Sequence, residues 1–302
     1  MKYLTRSSLL LTCILLAIRT VSAQEEKDTF SLEDLKSKIE IIMEESGVPS
    51  VGIALVDSLG PVWVEGLGLA NVEEEKEADR QTIYRIGSIS KMFVSLAVLK
   101  LQEEKRLNLQ DKVRDLVPEI EYENRWSETH PVRVAHLLEH TTGWDDIHLP
   151  EYGSNDPKPL TLKEGLDFHP HSRISRWPPG TRMAYCNAGP PVAAYIVEKV
   201  TGMDFEEYVR QQFWQPMGME SMTYRLSAEY ERLGATLYED GRAVPYWHII
   251  MRPSGSINAS PVDMARMVKF FIDRGRADSL RIMGEASLNR LERPSTTSGA
   301  RA

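Results

Sequence analysis

Ile83-Tyr84-Arg85-Ile86-Gly87-Ser88-Ile89-Ser90-Lys91-Met92-Phe93-Val94-Ser95-Leu96-Ala97-Val98-Leu99 is the stretch around which the chain is organised. It reads as a strand-like exit, a turn at Gly87, and then a helix that is apolar on nearly every side. Met92, Phe93, Leu96, Val98, Leu99 and Leu101 leave that helix no polar face, which predicts a core helix. Its first turn nevertheless carries Ser88 and Lys91, groups that a core normally excludes. Positions i and i+3 of a helix share a face, about 5–6 Å apart. A hydroxyl beside a partly desolvated amine makes an activated nucleophile, because burial disfavours the ammonium form. The start of the helix would add main-chain N–H groups where an oxyanion develops.

S-x-x-K by itself is a weak signal, expected about once by chance in a chain of this length. Its alternative reading is a serine N-cap with a lysine that snorkels to solvent. Placement favours chemistry, since the chain's one S-x-x-K opens its most apolar helix directly after a glycine turn.

The 302 residues are 42% hydrophobic and 26% charged, enough for one large domain or two intertwined ones. A formal net charge of −8 and the absence of a basic stripe exclude nucleic acid as a partner. The N-terminus pairs a basic segment, Met1 to Arg6, with an apolar run from Leu9 to Ile18. Val21-Ser22-Ala23 then has the small-residue pattern of a cleavage site, so residues 1–23 are expected to be a signal peptide. The run is too short to span a bilayer comfortably, so no stable membrane span is expected after cleavage. The protein is expected to be secreted or periplasmic. Cleavage would remove Cys13 and leave Cys186 alone, unable to close an internal disulfide.

From Ser31 an amphipathic helix is expected, with Leu32, Leu35, Ile39, Ile42 and Met43 on one stripe and a stop at Gly47. Val51–Val56 and Val62–Leu67 flank a turn and predict an antiparallel hairpin. Glu73 to Arg80 is charged and reads as loop. The nucleophile helix should end near Lys105, and a short helix should run from Pro131 to His140 before Thr141-Thr142-Gly143. Asp145 to Arg176 reads mostly as loop. A helix from Pro191 to Val200 should close at Gly202, and a second, capped by Asp204, should reach Trp214. Ser254 to Ser260 reads as loop, Pro261 starts a further helix, and 276–302 reads as a tail.

Tyr185-Cys186-Asn187 follows a Pro-Pro-Gly turn and precedes an apolar helix, so its side chains can be held on a rigid edge. The other Y-x-N, Tyr122-Glu123-Asn124, lies in a charged stretch and reads as surface. A half-buried tyrosine with a satisfied hydroxyl is the plain alternative for Tyr185.

Several of these segments together resemble the serine β-lactamase-related family of penicillin-recognising hydrolases. They are Gly87-Ser88-Ile89-Ser90-Lys91, His136-Leu137-Leu138-Glu139-His140-Thr141-Thr142-Gly143, and Pro179-Gly180 leading to Tyr185-Cys186-Asn187. Pro216-Met217-Gly218-Met219 and the Gly255…Asp263-Met264-Ala265 stretch complete the set, in the family's order. The family groups class C β-lactamases, D-alanyl-D-alanine carboxypeptidases and related esterases. The resemblance covers about Leu35 to Phe271, and Y-x-N in place of S-D-N points to the class C and esterase branch.

The resemblance implies an α+β, β-lactamase/transpeptidase-like fold: an antiparallel sheet flanked by helices, plus a mainly helical subdomain. It implies Ser88 as the acylated nucleophile, Lys91 as its proton-accepting neighbour and Tyr185 as a proton shuttle. Asn187 would hold a substrate carbonyl or amide. The substrate would be a β-lactam, a D-Ala-D-Ala-type peptide or a small ester. The alternative is a catalytically silent ligand-binding member of the same fold. No cofactor is implied, and no metal, since His136 and His140 lack the glutamate of H-E-x-x-H. The family's third motif, K-T-G or H-x-G on a C-terminal strand, is not legible; Thr297-Ser298-Gly299 sits in a polar tail and reads as chance. A single hydrolase domain, 24–302, is therefore expected to be C-terminally truncated, with the C-terminal sheet strands missing. Within it, 24–105 would hold the sheet and nucleophile helix, and 106–275 the helical region.

Overall fold

The computed structural model describes residues 31–148, 151–154, 160–168 and 170–293. The expected signal peptide, Cys13 and Thr297–Gly299 lie outside them. Two units separate, Met1–Ser46 and Gly47–Ala302. In the first, α1 (Leu32–Ser46) begins where sequence places it. The Asp34 N–H donates to Ser31 Oγ at 3.1 Å, and the Ser31 hydroxyl returns a bond to the Asp34 carboxylate at 2.7 Å. This reciprocal cap satisfies N–H groups that the first turn leaves open. The apolar stripe is only partly enclosed: Met43 is buried, whereas Ile42 is 61% exposed.

The second unit opens with β1 (Ser50–Val56) and β2 (Pro61–Asn71), antiparallel from Ser50↔Gly68 to Leu55↔Trp63. The chain reverses at Asp57, whose carboxylate accepts the N–H groups of Leu59 and Gly60. The charged stretch expected as loop contributes a short β3 (Lys76–Glu77) on the far side of β2. Gly66 permits it, because a Cβ there would stand 2.3 Å from the Asp79 carbonyl oxygen. Among the described residues the sheet has the order β1-β2-β3, so one edge of β1 is unpaired.

β4 (Tyr84–Arg85) leads into a tight turn at Gly87–Ile89 and then α2 (Ser90–Glu103). Downstream come α3 (Val113–Leu116), α4 (Val134–Leu138), β5 (Gly153–Ser154), α5 (Leu162–Asp167), α6 (Gly189–Thr201) and α7 (Phe205–Val209). A π-turn over Arg210–Trp214 continues α7 to the end foreseen for that helix. After α8 (Ala228–Leu233), β6 (Leu237–Glu239) pairs with β7 (Arg242–Val244), and β8 (His248–Ile249) pairs with β5. β9 (Asn258–Ala259) pairs with β4, and α9 (Pro261–Ile272) lies against β1 and β2.

The core is built on α2, as its lack of a polar face requires. Phe93, Leu96, Val98 and Leu101 are fully or almost fully buried, with α6 and α7 packed alongside. The Phe93 and Trp214 rings meet edge to face at 5.7 Å. Each such side chain contributes about 1.5–3 kcal/mol by leaving water. α6 ends at Gly202, in the left-handed conformation (φ 73°) that glycine adopts freely.

The stretch read as a tail carries regular structure over residues 276–291. β10 (Arg276–Ala277) and β11 (Leu280–Arg281) form a hairpin, and α10 (Glu285–Leu291) follows. Glu103 accepts from the Gly284 N–H and the Ser287 hydroxyl, and Met283 and Leu288 are buried. Elements of two and seven residues are too short to show a period, which is why sequence missed them. No helix of the described residues is long and apolar enough to cross a membrane.

Candidate active site

Four segments converge at the start of α2. The first carries Ser88, the residue expected to be the nucleophile. Ser88 sits not in the α-helix but in the preceding 3-10 turn, between Gly87 (φ 56°) and Ile89. The i, i+3 relation survives this tighter geometry: Lys91 Nζ donates to Ser88 Oγ at 3.1 Å. The N–H groups of Ile89 and Ser90 bond back to Ile86 and Gly87, so these two are taken up by the turn itself. Ser90 anchors the turn: its buried hydroxyl donates to the Gly87 carbonyl and accepts from the Ile257 N–H. Ser88 is left exposed at the head of an immobilised helix.

Lys91 is half-buried, and desolvation lowers its pKa from the usual 10.5, opposed by its hydrogen bond to Tyr185 and by the charge of Asp146. Its ammonium also donates to the Ser254 carbonyl and lies 4.9 Å from the centre of the Tyr185 ring. A lysine so placed can surrender or accept a proton nearer neutrality than a solvated one.

The second segment is the loop before α6. Ser88 Oγ and the Tyr185 hydroxyl are 2.7 Å apart, 97 residues apart in sequence. Asn187 is beside them, but its side-chain nitrogen donates to both oxygens of Asp146, at 3.1 and 3.2 Å. Its main-chain N–H donates to the same carboxylate at 2.8 Å. The donor expected to hold a substrate carbonyl is therefore already engaged within the protein.

The third segment, after α4, supplies His140 and Asp146. The His140 ring stacks on that of Tyr185, centroids 4.5 Å apart. The fourth is the turn Arg252–Ser254 and β9, in a segment that sequence read as loop from Ser254 on. There the Ser254 carbonyl receives Lys91, and the Ser254 hydroxyl donates to the Asn187 carbonyl. Pairing of Arg85 with Asn258 ties this segment to the residues just before Ser88.

The structure thus brings Ser88, Lys91, Tyr185 and Asn187 together and adds His140, Asp146 and Ser254. His140 belongs to the quoted His136–Gly143 motif; Asp146 and a main-chain carbonyl at 254 carry no sequence signal. His136 and His140 each have Nδ1 engaged by a main-chain N–H, that of Arg133 for His136 and that of Cys186 for His140. Cys186 is buried, donates its thiol to the Asp145 carbonyl, and has its pKa pushed up to about 11 by burial. It is a poor nucleophile.

A family model described as Beta-lactamase matches residues 35–302. The chain belongs to the beta-lactamase family. That family is one of serine hydrolases, and its fold is the α+β, β-lactamase/transpeptidase-like arrangement that the resemblance implied. Protein flp of Staphylococcus aureus (strain MW2) is 25% identical over 249 residues, 80% of this chain and 49% of that protein. A beta-lactamase of Yersinia enterocolitica is 23% identical over 203 residues, 67% of this chain and 49% of that protein. The chain spans about half the length of the curated relatives it matches. Among solved structures, the octameric penicillin-binding protein homologue from Pyrococcus abyssi superposes with a TM-score of 0.75 at 29% identity. It covers 87% of this chain and 60% of that one. EstCE1, a hydrolase with promiscuous acyltransferase activity, shares the fold at 18% identity with a TM-score of 0.70, covering 84% of this chain and 74% of its own.

Proposed function

We propose that the protein is an exported hydrolase that works through an acyl-enzyme on Ser88. The observation that carries this reading is the contact of Ser88 Oγ with both Lys91 Nζ, at 3.1 Å, and the Tyr185 hydroxyl, at 2.7 Å. In the first step Ser88 Oγ bonds to the acyl carbon of the substrate and its proton passes to Lys91. Tyr185 relays a proton to the leaving group as the scissile bond breaks. Water then attacks the ester, giving up a proton through the same pair, and Ser88 is regenerated as the acid departs. Burial of Lys91 supports its role as acceptor, because it weakens the ammonium form.

The substrate class is a β-lactam, a D-Ala-D-Ala-type peptide or a small ester. The names of the relatives span the same range, from beta-lactamase to penicillin-binding protein homologue. The leader pattern of residues 1–23 supports a secreted or periplasmic location. The experiment is to treat the protein with a fluorophosphonate and with a fluorescent penicillin, then map any adduct by mass spectrometry. An adduct on Ser88 that disappears in Ser88→Ala is the expected result. A folded sample that takes neither label overturns the acyl-enzyme and leaves a silent binding protein. Labelling by penicillin alone narrows the substrate to the cell-wall and β-lactam classes.

A further inference from the structure

The motif His136–Gly143 supplies no nucleophile, base or metal ligand to the proposed reaction, yet one of its residues is held in a costly conformation. α4 ends at Leu138, and the Thr141 N–H closes its end by bonding to the His136 carbonyl at 3.0 Å. In that type of cap the residue after the helix is left-handed, and glycine is its usual occupant. Here it is His140, at φ 55°. A side chain in that region costs of order 1–3 kcal/mol; Lys105 and Arg274 take the same position after α2 and α9, so what sets His140 apart is its partners.

What the ring does is visible in its partners. Nδ1 accepts the Cys186 N–H at 3.2 Å, and the His140 carbonyl accepts the Ala184 N–H at 2.9 Å. One residue therefore grips the chain immediately before and immediately after Tyr185. Between those two bonds the imidazole lies nearly parallel to the phenol, 29° between planes. We propose that His140 is the positioning residue for Tyr185, its ring face and Nδ1 lone pair holding the phenol hydroxyl against Ser88. The catalytic part of this inference rests on the acyl-enzyme reading above; the positional part does not.

The device needs a neutral ring, since a protonated Nδ1 would face the Cys186 N–H donor to donor. The charged and titratable groups facing His140 are Lys91 from α2, Asp146 from its own loop, and Tyr185 and Cys186 from the loop it holds. Burial and the charge of Lys91 lower its pKa from 6.5, against the opposite pull of Asp146.

Two substitutions separate the ring from the backbone. His140→Gly suits the left-handed conformation but removes the stack and the acceptor. His140→Asn also tolerates that conformation and keeps a carbonyl that can accept from the Cys186 N–H. Two readouts are needed: amide hydrogen exchange over residues 183–187 and the rate of fluorophosphonate labelling of Ser88. His140→Gly should speed exchange at Ala184 and Cys186 tenfold or more and slow labelling tenfold or more. His140→Asn should recover most of both. In the Tyr185→Phe background His140→Gly should slow labelling by less than about twofold, because it acts through the phenol. Unchanged exchange in His140→Gly overturns the positioning role whatever the labelling does. Equal slowing with and without the Tyr185 hydroxyl overturns its action through Tyr185. Raised exchange in a protein whose parent takes no label supports the positioning while the acyl-enzyme reading fails.

Discussion

The two halves of the site are held by different physics. Ser88 and Lys91 stand at the end of α2, a helix fixed by burial: Phe93, Val94 and Leu96 are wholly enclosed. Tyr185 and Asn187 stand on an irregular loop, and Tyr185 is 47% exposed. That loop is fixed by directional bonds, from His140 before and after the tyrosine, from Asp146 to Asn187, and from the Ser254 hydroxyl. Burial is non-directional and spreads over many contacts, so the helix side should tolerate any single loss near the site. Hydrogen bonds are few and geometric, so the loop side should respond to small chemical changes.

The largest effect should come from emptying the helix side of its chemistry while keeping its packing. Lys91→Met retains the apolar stem and removes the amine. Ser88 labelling should fall about 10³-fold, equivalent to ~4 kcal/mol at the transition state. The thermal transition should hold or rise, because a desolvated cation has been removed. A drop in thermal stability would mean that the lysine is structural.

The effect of acid should come next. His136, in α4 just before the clamp, has its pKa lowered from 6.5 to about 4, first by burial and then by Arg133. The folded value lies below the unfolded one, so the neutral ring stabilises the fold above pH 6.5. That contribution is lost as pH falls from 6.5 to about 4. At ~1.4 kcal/mol per unit it amounts to at most about 3.5 kcal/mol. Denaturant midpoints measured across that range should fall in the parent and stay flatter in a His136→Gln variant.

The smallest effect should come from Asp146→Asn, which keeps shape and removes the charge that anchors Asn187. Charge-assisted bonds are about twice as strong as neutral ones. Labelling should slow about tenfold, or ~1.4 kcal/mol. A rate that rises instead would show that a freed Asn187 binds the acyl group better than a tethered one.

Legibility follows the same division. α2, the β1–β2 hairpin, α6 with its glycine stop and the Asp204 cap were readable because each writes a period or a punctuating residue into consecutive positions. Ser88 and Lys91 were readable as a pair because a helical turn brings i and i+3 together. β3, β9, the β10–β11 hairpin and α10 were not, being too short to show a pattern. Of the main-chain N–H groups expected next to Ser88, those of Ile89 and Ser90 are taken up, because the chain enters α2 through a 3-10 turn that engages them itself.

By itself the sequence determined which helix is buried, which hydroxyl and amine share its first face, and which tyrosine follows a rigid turn. Those are local facts, set by spacing along one chain segment. Only the tertiary structure decided that Tyr185 reaches Ser88 across 97 residues, that Asp146 engages Asn187, and that a left-handed histidine grips the loop between them. Each depends on the mutual placement of distant segments around the buried helix, which no single stretch of residues encodes.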